Sequence, residues 1–369
     1  MNKKLSLLIL PIAMLAFSCT DEPDDNKPAV QDTLVRSAGV YIINEGSFNG
    51  NNASVTRFTF SDSSGVADIF AQQNGRGLGD TGSDLAIYGS KLYAVVNVSS
   101  QVEVMDARTC MSIRQISLFD GEVARQPRKI AFYGSKAFVC NFDGTVAVID
   151  TASLLVEKII TVGLNPDGIA VAGGKIWVSN SGGLNFPDYN NTLSVIDPVT
   201  LTEEKQVTVG TNPFTMIPDG YGDLYVVSRG NYGDVKSRLQ VVDVATGALK
   251  QTFTEFEAIN FSIAGDTAYV YNYDWMSGIS SVMMLNVKTE NIIRNTFISD
   301  GTVLQTVYGI AADPVSGLIY ISDAMGYTGA GKVYAFDKSG KLKFSFDAGI
   351  NPAGFAFLNV TTISTTGKQ

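Results

Sequence analysis

The chain has 369 residues, with 27 lysines and arginines against 36 aspartates and glutamates and a formal net charge of −9. A nucleic-acid interface needs clustered cations against phosphate, which this balance disfavours. There is no histidine, so imidazole-ligated zinc or haem and histidine-based triads are excluded, and the three cysteines form no CxxC pair.

In chain order, Lys3 and Lys4, the apolar stretch from Leu5 to Phe17 and the small Ser18 before Cys19 read as an export signal too short to span a bilayer comfortably. Leu15-Ala16-Phe17-Ser18-Cys19 resembles a bacterial lipobox, although Phe17 stands where that motif has a small residue; it implies lipidation of Cys19. An ordinary secretory signal cut near Ser18 is the alternative. Loss of residues 1–18 removes two lysines, taking the net charge from −9 to −11. Thr20-Asp21-Glu22-Pro23-Asp24-Asp25-Asn26 has no apolar residue and must stay solvated, so residues 19–36 are expected to be a flexible acidic tether. An acidic run directly behind a lipidated cysteine also resembles the export signal of surface lipoproteins of Bacteroidota. That resemblance implies an outer-membrane protein, lipid-anchored and facing the cell exterior; a spacer facing the periplasm is the other reading.

From residue 37 onward the sequence repeats about every 45 residues, the length of a four-stranded propeller blade. Lys91-Leu92-Tyr93-Ala94-Val95-Val96-Asn97 aligns with Lys136-Ala137-Phe138-Val139-Cys140-Asn141, Lys175-Ile176-Trp177-Val178-Ser179-Asn180, Asp223-Leu224-Tyr225-Val226-Val227-Ser228 and Thr267-Ala268-Tyr269-Val270-Tyr271-Asn272. Each is a short β-branched and aromatic strand. A following strand ends in Val104-Met105-Asp106, Val148-Ile149-Asp150, Val195-Ile196-Asp197, Val241-Val242-Asp243 and Ala335-Phe336-Asp337, with weaker copies of the repeat at residues 39–44, 284–286 and 318–323. The expected fold is all-β, a seven-bladed β-propeller occupying residues 37–369. Cys110 and Cys140 fall at different depths in successive blades and are expected to be free thiols.

Between blades the chain reads Gly163-Leu164-Asn165-Pro166, Gly210-Thr211-Asn212-Pro213 and Gly349-Ile350-Asn351-Pro352. The last copy introduces Ala353-Gly354-Phe355-Ala356-Phe357-Leu358, an innermost strand with no blade behind it, whereas the first blade opens at Gly39 with its second strand. The C-terminal strand is therefore predicted to complete the first blade and remove two open sheet edges.

These repeats resemble the YncE-like, YVTN-type propellers. Asn44-Glu45-Gly46-Ser47-Phe48 and Gly79-Asp80-Thr81-Gly82-Ser83 are similar to segments of BtuG-type surface lipoproteins of Bacteroidota. That resemblance implies cobalamin capture for a TonB-dependent outer-membrane transporter. A protein without histidine would have to hold an intact corrinoid by contacts around it, since no imidazole can replace the lower base.

With strands A to D named outward from the axis, the A–B and C–D turns, such as 88–90, 133–135, 197–200 and 243–246, are short and built on Asp and Gly turn chemistry. The opposite face carries long B–C loops at 44–52, 180–191, 228–237, 272–280 and 322–331. They place Phe48, Phe186, Tyr189, Tyr232, Tyr273, Trp275 and Tyr327 on one rim, to which the D–A crossings add Arg76, Arg128, Phe214 and Tyr308. Aromatic rings with polar tips suit a large, partly flat ligand with hydrogen-bonding edges, although loop tyrosines also pack locally. Asn44, Asn97, Asn141, Asn180 and Asn272 recur at the end of strand B, either as local caps or as a ring facing the axial opening.

The reading that follows is a cell-surface lipoprotein that captures a bulky nutrient, a corrinoid above all, and passes it to the transporter. It calls for no cofactor, leaves open a calcium ion on the rim carboxylates, and has only its lipid anchor meet the membrane. A glycan- or protein-binding propeller is the alternative. A propeller hydrolase or dehydrogenase stands behind both, because GxSxG, P-loop, HExxH and dinucleotide motifs in a matching context are all missing, and Glu45, Asp80, Asp188 and Asp234 have no selective spacing.

Overall fold

The aligned Tyr-Val segments are rich in residues that fit a pleated surface buried on both sides, and in the computed structural model each becomes the second strand of a four-stranded antiparallel sheet. The structure describes residues 31–274, 278–327 and 329–365, with side chains described except at 31–33, 274 and 363–365. Among these residues there are seven four-stranded sheets, one short α-helix at Ile69–Asn74 and a two-stranded ribbon of Phe119–Asp120 with Val123–Ala124. Cys19 and residues 20–30 lie outside the described residues, as does Trp275.

Blade 2 shows the standard unit: strands A to D are Gly82–Tyr88, Lys91–Val96, Gln101–Asp106 and Ser112–Ser117. Blade 1 is assembled from both ends of the chain. Its strand A is Pro352–Thr365, beside strand B at Gln31–Asn44, strand C at Ser54–Thr59 and a three-residue strand D at Ser64–Val66. The predicted C-terminal closure is thus observed. Val35–Val360 forms one compact unit, and the described parts of the other, residues 31–34 and 361–365, are extended strand.

Alternation along strand B distributes the core between neighbours. In blade 3 (strand B, Lys136–Asn141), Ala137 and Val139 pack with Tyr93 and Val95 of blade 2, while Phe138 and Cys140 pack with Ile176 and Val178 of blade 4 (strand B, Lys175–Asn180). A period of two therefore serves two inter-blade layers. The aromatic third position of each strand B, from Tyr41 through Trp177 to Tyr320, is buried. Cys110 and Cys140 are buried free thiols, and burial pushes both up to about 12, so neither is a ready nucleophile.

The Gly-x-Asn-Pro signal has a geometric cause. Asn165, Asn212 and Asn351 adopt positive φ of 44°, 58° and 53°, a region asparagine tolerates, and the following proline opens strand A. The preceding glycine fits against the end of strand B. A Cβ on Gly163 would stand 2.4 Å from Asn180 Cγ, and one on Gly349 would stand 2.7 Å from Asn44 Cγ.

Candidate functional site

The chain direction decides what each face carries. Strand B of blade 1 runs from Gly39, paired with Thr59, to Asn44, paired with Ser54, and so leads from the short-turn side to the loop side. Ser37 Oγ donates to Asn359 Oδ1 at 3.1 Å, placing the first and last strand residues of the Val35–Val360 unit together on the short-turn side. The loop face lies at the other end of every strand.

Two adjoining cavities open on the loop face. The axial one, of about 170 Å³, is lined by Glu45, Arg128, Lys129, Phe214, Arg229, Tyr271, Tyr273, Tyr308 and Tyr327, among others. The outer one, of about 260 Å³, lies between the loops of blades 5 and 6 and includes Tyr232, Lys236, Glu257 and Asn272. Arg229, Ile259 and Tyr273 line both.

Asp167, 2% exposed, organises the charges of the axial mouth. Arg128 Nε donates to one carboxylate oxygen at 2.7 Å and Arg229 Nη1 to the other at 3.0 Å. Burial pulls the Arg128 guanidinium down, but Asp167 outweighs that and holds it above its ordinary value. Both guanidiniums also lie against aromatic faces, Arg229 3.3 Å from the Phe214 ring centre and Arg128 4.6 Å from that of Phe142. Across the mouth, Tyr308 donates to Glu45, and Tyr271 donates to the Tyr308 carbonyl at 2.8 Å. Burial first, then the Glu45 carboxylate, raises the Tyr308 phenol well above its usual value, so it is a fixed donor.

Beside the outer cavity stands a run of rings. Phe186 meets Tyr189 edge-on at 6.1 Å and Tyr189 meets Tyr232 edge-on at 5.9 Å, joining the B–C loops of blades 4 and 5. Phe186 is 73% and Tyr232 69% exposed. Tyr327 packs edge-on against Tyr308 at 5.8 Å and lines the axial mouth. Phe48 is 76% exposed on the blade 1 loop but lines neither cavity.

Several expected site residues lie elsewhere. Arg76 is drawn outward, 2.9 Å from the buried Glu103 carboxylate and over the Phe70 ring, because a buried carboxylate needs a partner more than a rim does. Asn44, Asn141 and Asn180 are 0% exposed and Asn97 is 6% exposed. Asn180 donates to Thr192 and Ser194 and accepts from the Gly163 N–H, whereas Asn44 donates to Ser54 and Thr56 and accepts from the Gly349 N–H. Asn97 donates to the Pro127 carbonyl and Asn141 to Thr145. Asn44, Asn97 and Asn180 thus tie blade to crossing, whereas Asn141 bonds only within its own blade, and only Asn272 of the five lines one of these cavities. The blade 6 loop is also shorter than 272–280, because its strands B and C, Thr267–Asp274 and Ile279–Asn286, pair as far as Asp274 with Ile279.

Asp80 has a similar structural task. Its oxygens accept the Asn49 and Asn51 N–H groups at 3.2 and 3.1 Å, fastening the Asn44-to-Phe48 segment to the Gly79-to-Ser83 segment. Among the described residues no group of three His, Cys, Asp or Glu is placed to hold a metal ion, and no helix is long and apolar enough to cross a membrane. Sequence reasoning missed Asp167, Arg229, Lys129 and Tyr271. A Pro-Asp start to strand A and an Arg just after strand B were the available signals, both hidden in ordinary blade positions.

A family profile described as "Domain of unknown function (DUF5074)" matches residues 38–358. The chain belongs to that family. No curated protein matches it. Among solved structures, a chain of Kuenenia stuttgartiensis hydrazine synthase is similar with a TM-score of 0.62 and 18% identity, over 78% of this chain and 96% of that one. A quinonprotein alcohol dehydrogenase-like protein of Bacteroides thetaiotaomicron is similar with a TM-score of 0.63 and 14% identity, over 87% of this chain and 78% of that one. At such identities the likeness concerns the fold alone, and the enzymatic names belong to those proteins. For this DUF5074 chain the comparisons carry the resemblance no further than a propeller fold shared with a Bacteroides protein.

Proposed function

We propose that this DUF5074 propeller is a binding module whose loop face takes a bulky, partly flat, amide-rich nutrient, with a corrinoid as the first ligand to test. The observation that carries this reading is the run Phe186, Tyr189 and Tyr232, exposed at both ends with Tyr189 half-buried between, beside a mouth lined with tyrosines, arginines, Lys129 and Glu45. Exposed rings offer apolar area at small conformational cost, and the neighbouring donors and acceptors suit a ligand with polar edges. Both cavities are too small to enclose such a ligand, so it would lie across the rim. The corrinoid itself comes from the resemblance of the blade 1 and blade 2 segments.

On the same reading the chain is anchored by a lipid on Cys19 at the outer membrane, faces the cell exterior, and hands its ligand to a TonB-dependent transporter. The Ser37 end of blade 1's strand B lies on the short-turn side, which is compatible with a loop face free to meet ligand. Calorimetric titration of the protein lacking residues 1–18 with cyanocobalamin, in parallel with cell-surface glycans, tests the ligand. Heat with the corrinoid supports the reading. A glycan response without one moves the assignment to a glycan-binding module on the same face.

A further inference from the structure

The short-turn face has a cavity of its own, where blade 7 meets blade 1. Its volume is about 710 Å³, and its walls include Phe58, Phe60, Leu318, Tyr320 and Phe344. Phe58 and Phe344 stack at 5.4 Å with an interplanar angle of 15°, and Tyr320 meets Phe344 edge-on at 6.2 Å. Such walls match a planar apolar body.

This groove interrupts a repeated clasp. In blade 1 the strand B tyrosine, Tyr41, donates to the Ala107 carbonyl of the next blade at 3.0 Å, and Tyr225 of blade 5 donates likewise to Val287 at 2.9 Å. Tyr320 holds the same position in blade 7 and is 0% exposed, yet its hydroxyl has no partner. Tyr93 of blade 2 also lacks one, but it lines none of the three cavities, whereas Tyr320 forms part of the wall of this one. At the blade 7 seam the neighbouring strand D of blade 1 has only three residues, too short to seal the gap. A buried donor without an acceptor is costly, so a ligand that supplies an oxygen would be favoured there.

The groove is also positively edged. Arg36 and Lys343 line it from exposed positions, and neither enters an ion pair or hydrogen bond among the described residues. The nearby carboxylate of Asp313 is already engaged by Ser37 and Ser316 hydroxyls and the Val315 N–H. We propose that this groove is a second binding site, for a planar aromatic carboxylate whose ring lies among Phe58, Phe60 and Phe344, whose charge meets Arg36 and Lys343, and whose oxygen accepts from Tyr320. It is independent of the loop-face ligand.

Titration of the full chain with 2-naphthoate, alongside the neutral 2-naphthamide, tests the assignment. Naphthoate is expected to bind more tightly than the amide, and Arg36→Ala with Lys343→Ala to weaken naphthoate about tenfold while leaving the amide unchanged. Leu318→Trp, which fills the groove, should abolish both responses, and Tyr320→Phe should weaken naphthoate about threefold with no loss of melting temperature. Melting curves identify any variant that fails to fold, in which case the remaining variants decide. Equal affinity for the acid and the amide, unchanged naphthoate binding in Leu318→Trp, or no naphthoate response at millimolar concentration would each overturn the proposal.

Discussion

The two faces of the propeller are made from the same strands but obey different rules. On the short-turn side one device recurs: an Asp or Asn at the end of strand C accepts N–H groups two and three residues ahead. Asp106 does so from Arg108 and Thr109, Asp150 from Ala152 and Ser153, Asp197 from Val199 and Thr200, and Asn286 from Lys288 and Thr289. On the loop side the Gly-x-Asn-Pro crossings repeat, but the long B–C loops of blades 1, 4 and 5 differ in length and content, and the most exposed rings among the described residues stand there. The lesson is that a repeat constrains the face where strands are joined cheaply and frees the face where chain can be added without disturbing the sheets.

The largest test concerns what both faces presuppose, a closed ring. Deleting residues 349–369 removes strand A of blade 1, leaves strand B of that blade as an open edge, trims the last strand of blade 7, and takes away the N–H of Gly349 from Asn44. Cooperative thermal unfolding is expected to disappear. A truncated chain that melts like the full one would show that the ring does not need its closing strand.

Next in size is a test of whether the loop face is partly architecture. Asp167→Ala leaves Arg128 and Arg229 without their shared carboxylate in a largely buried site, and should cost about 3 kcal/mol in urea denaturation. A change below about 0.5 kcal/mol would mean that the mouth is solvated and the pair expendable.

The rim rings should behave in the opposite way. Phe186→Ala and Tyr232→Ala remove exposed groups, so stability should stay within about 0.5 kcal/mol. Corrinoid affinity should nevertheless fall by about 2 kcal/mol for a ring that anchors the ligand. Loss of stability without loss of affinity would return these rings to the role of packing residues.

Much of this was legible because blade chemistry is local. The Tyr-Val strands, the terminal Asp of strand C and the Gly-x-Asn-Pro crossings each carry their own geometric reason, so the seven sheets and the C-terminal closure could be placed from residue types alone. The site was harder to read, because its contacts join residues from different blades. Asp167 and Arg229 are 62 positions apart, and Tyr308 and Glu45 are 263 apart. Conversely, the recurring asparagines looked like a ring around the opening, yet four of the five are buried, and at two crossings the reason is a backbone N–H that takes the asparagine oxygen as its acceptor. Arg76 was misplaced for the same kind of reason: the carboxylate of Glu103 that captures it lies 27 residues away.

The smallest predicted effect separates the faces by pH. With no histidine in the chain, neither stability nor binding should change much between pH 5 and pH 8 for want of a side chain that ordinarily titrates there. Below that window the short-turn face should respond. Lys175, followed by the Thr200 and Val199 N–H groups, holds Asp197 far below the usual carboxylate range; the Ser153 N–H lowers Asp150, and the Thr246 and Ser339 hydroxyls lower Asp243 and Asp337. Each of these groups is more acidic folded than unfolded. Its contribution is therefore complete above the unfolded value of about 4 and is lost as pH falls through the folded value. The melting temperature should accordingly be level down to about pH 5 and decline on further acidification. Asp197→Asn keeps an oxygen for the two N–H groups but gives up the ion pair with Lys175, so the variant should melt slightly lower at pH 7 and lose less on going to pH 3. Its corrinoid affinity at pH 7 should equal that of the parent, because Asp197 lies on the face away from the loops. An acid slope identical to the parent's would remove this turn carboxylate from the account of acid stability, and a weakened affinity would show that the two faces are coupled through the blades.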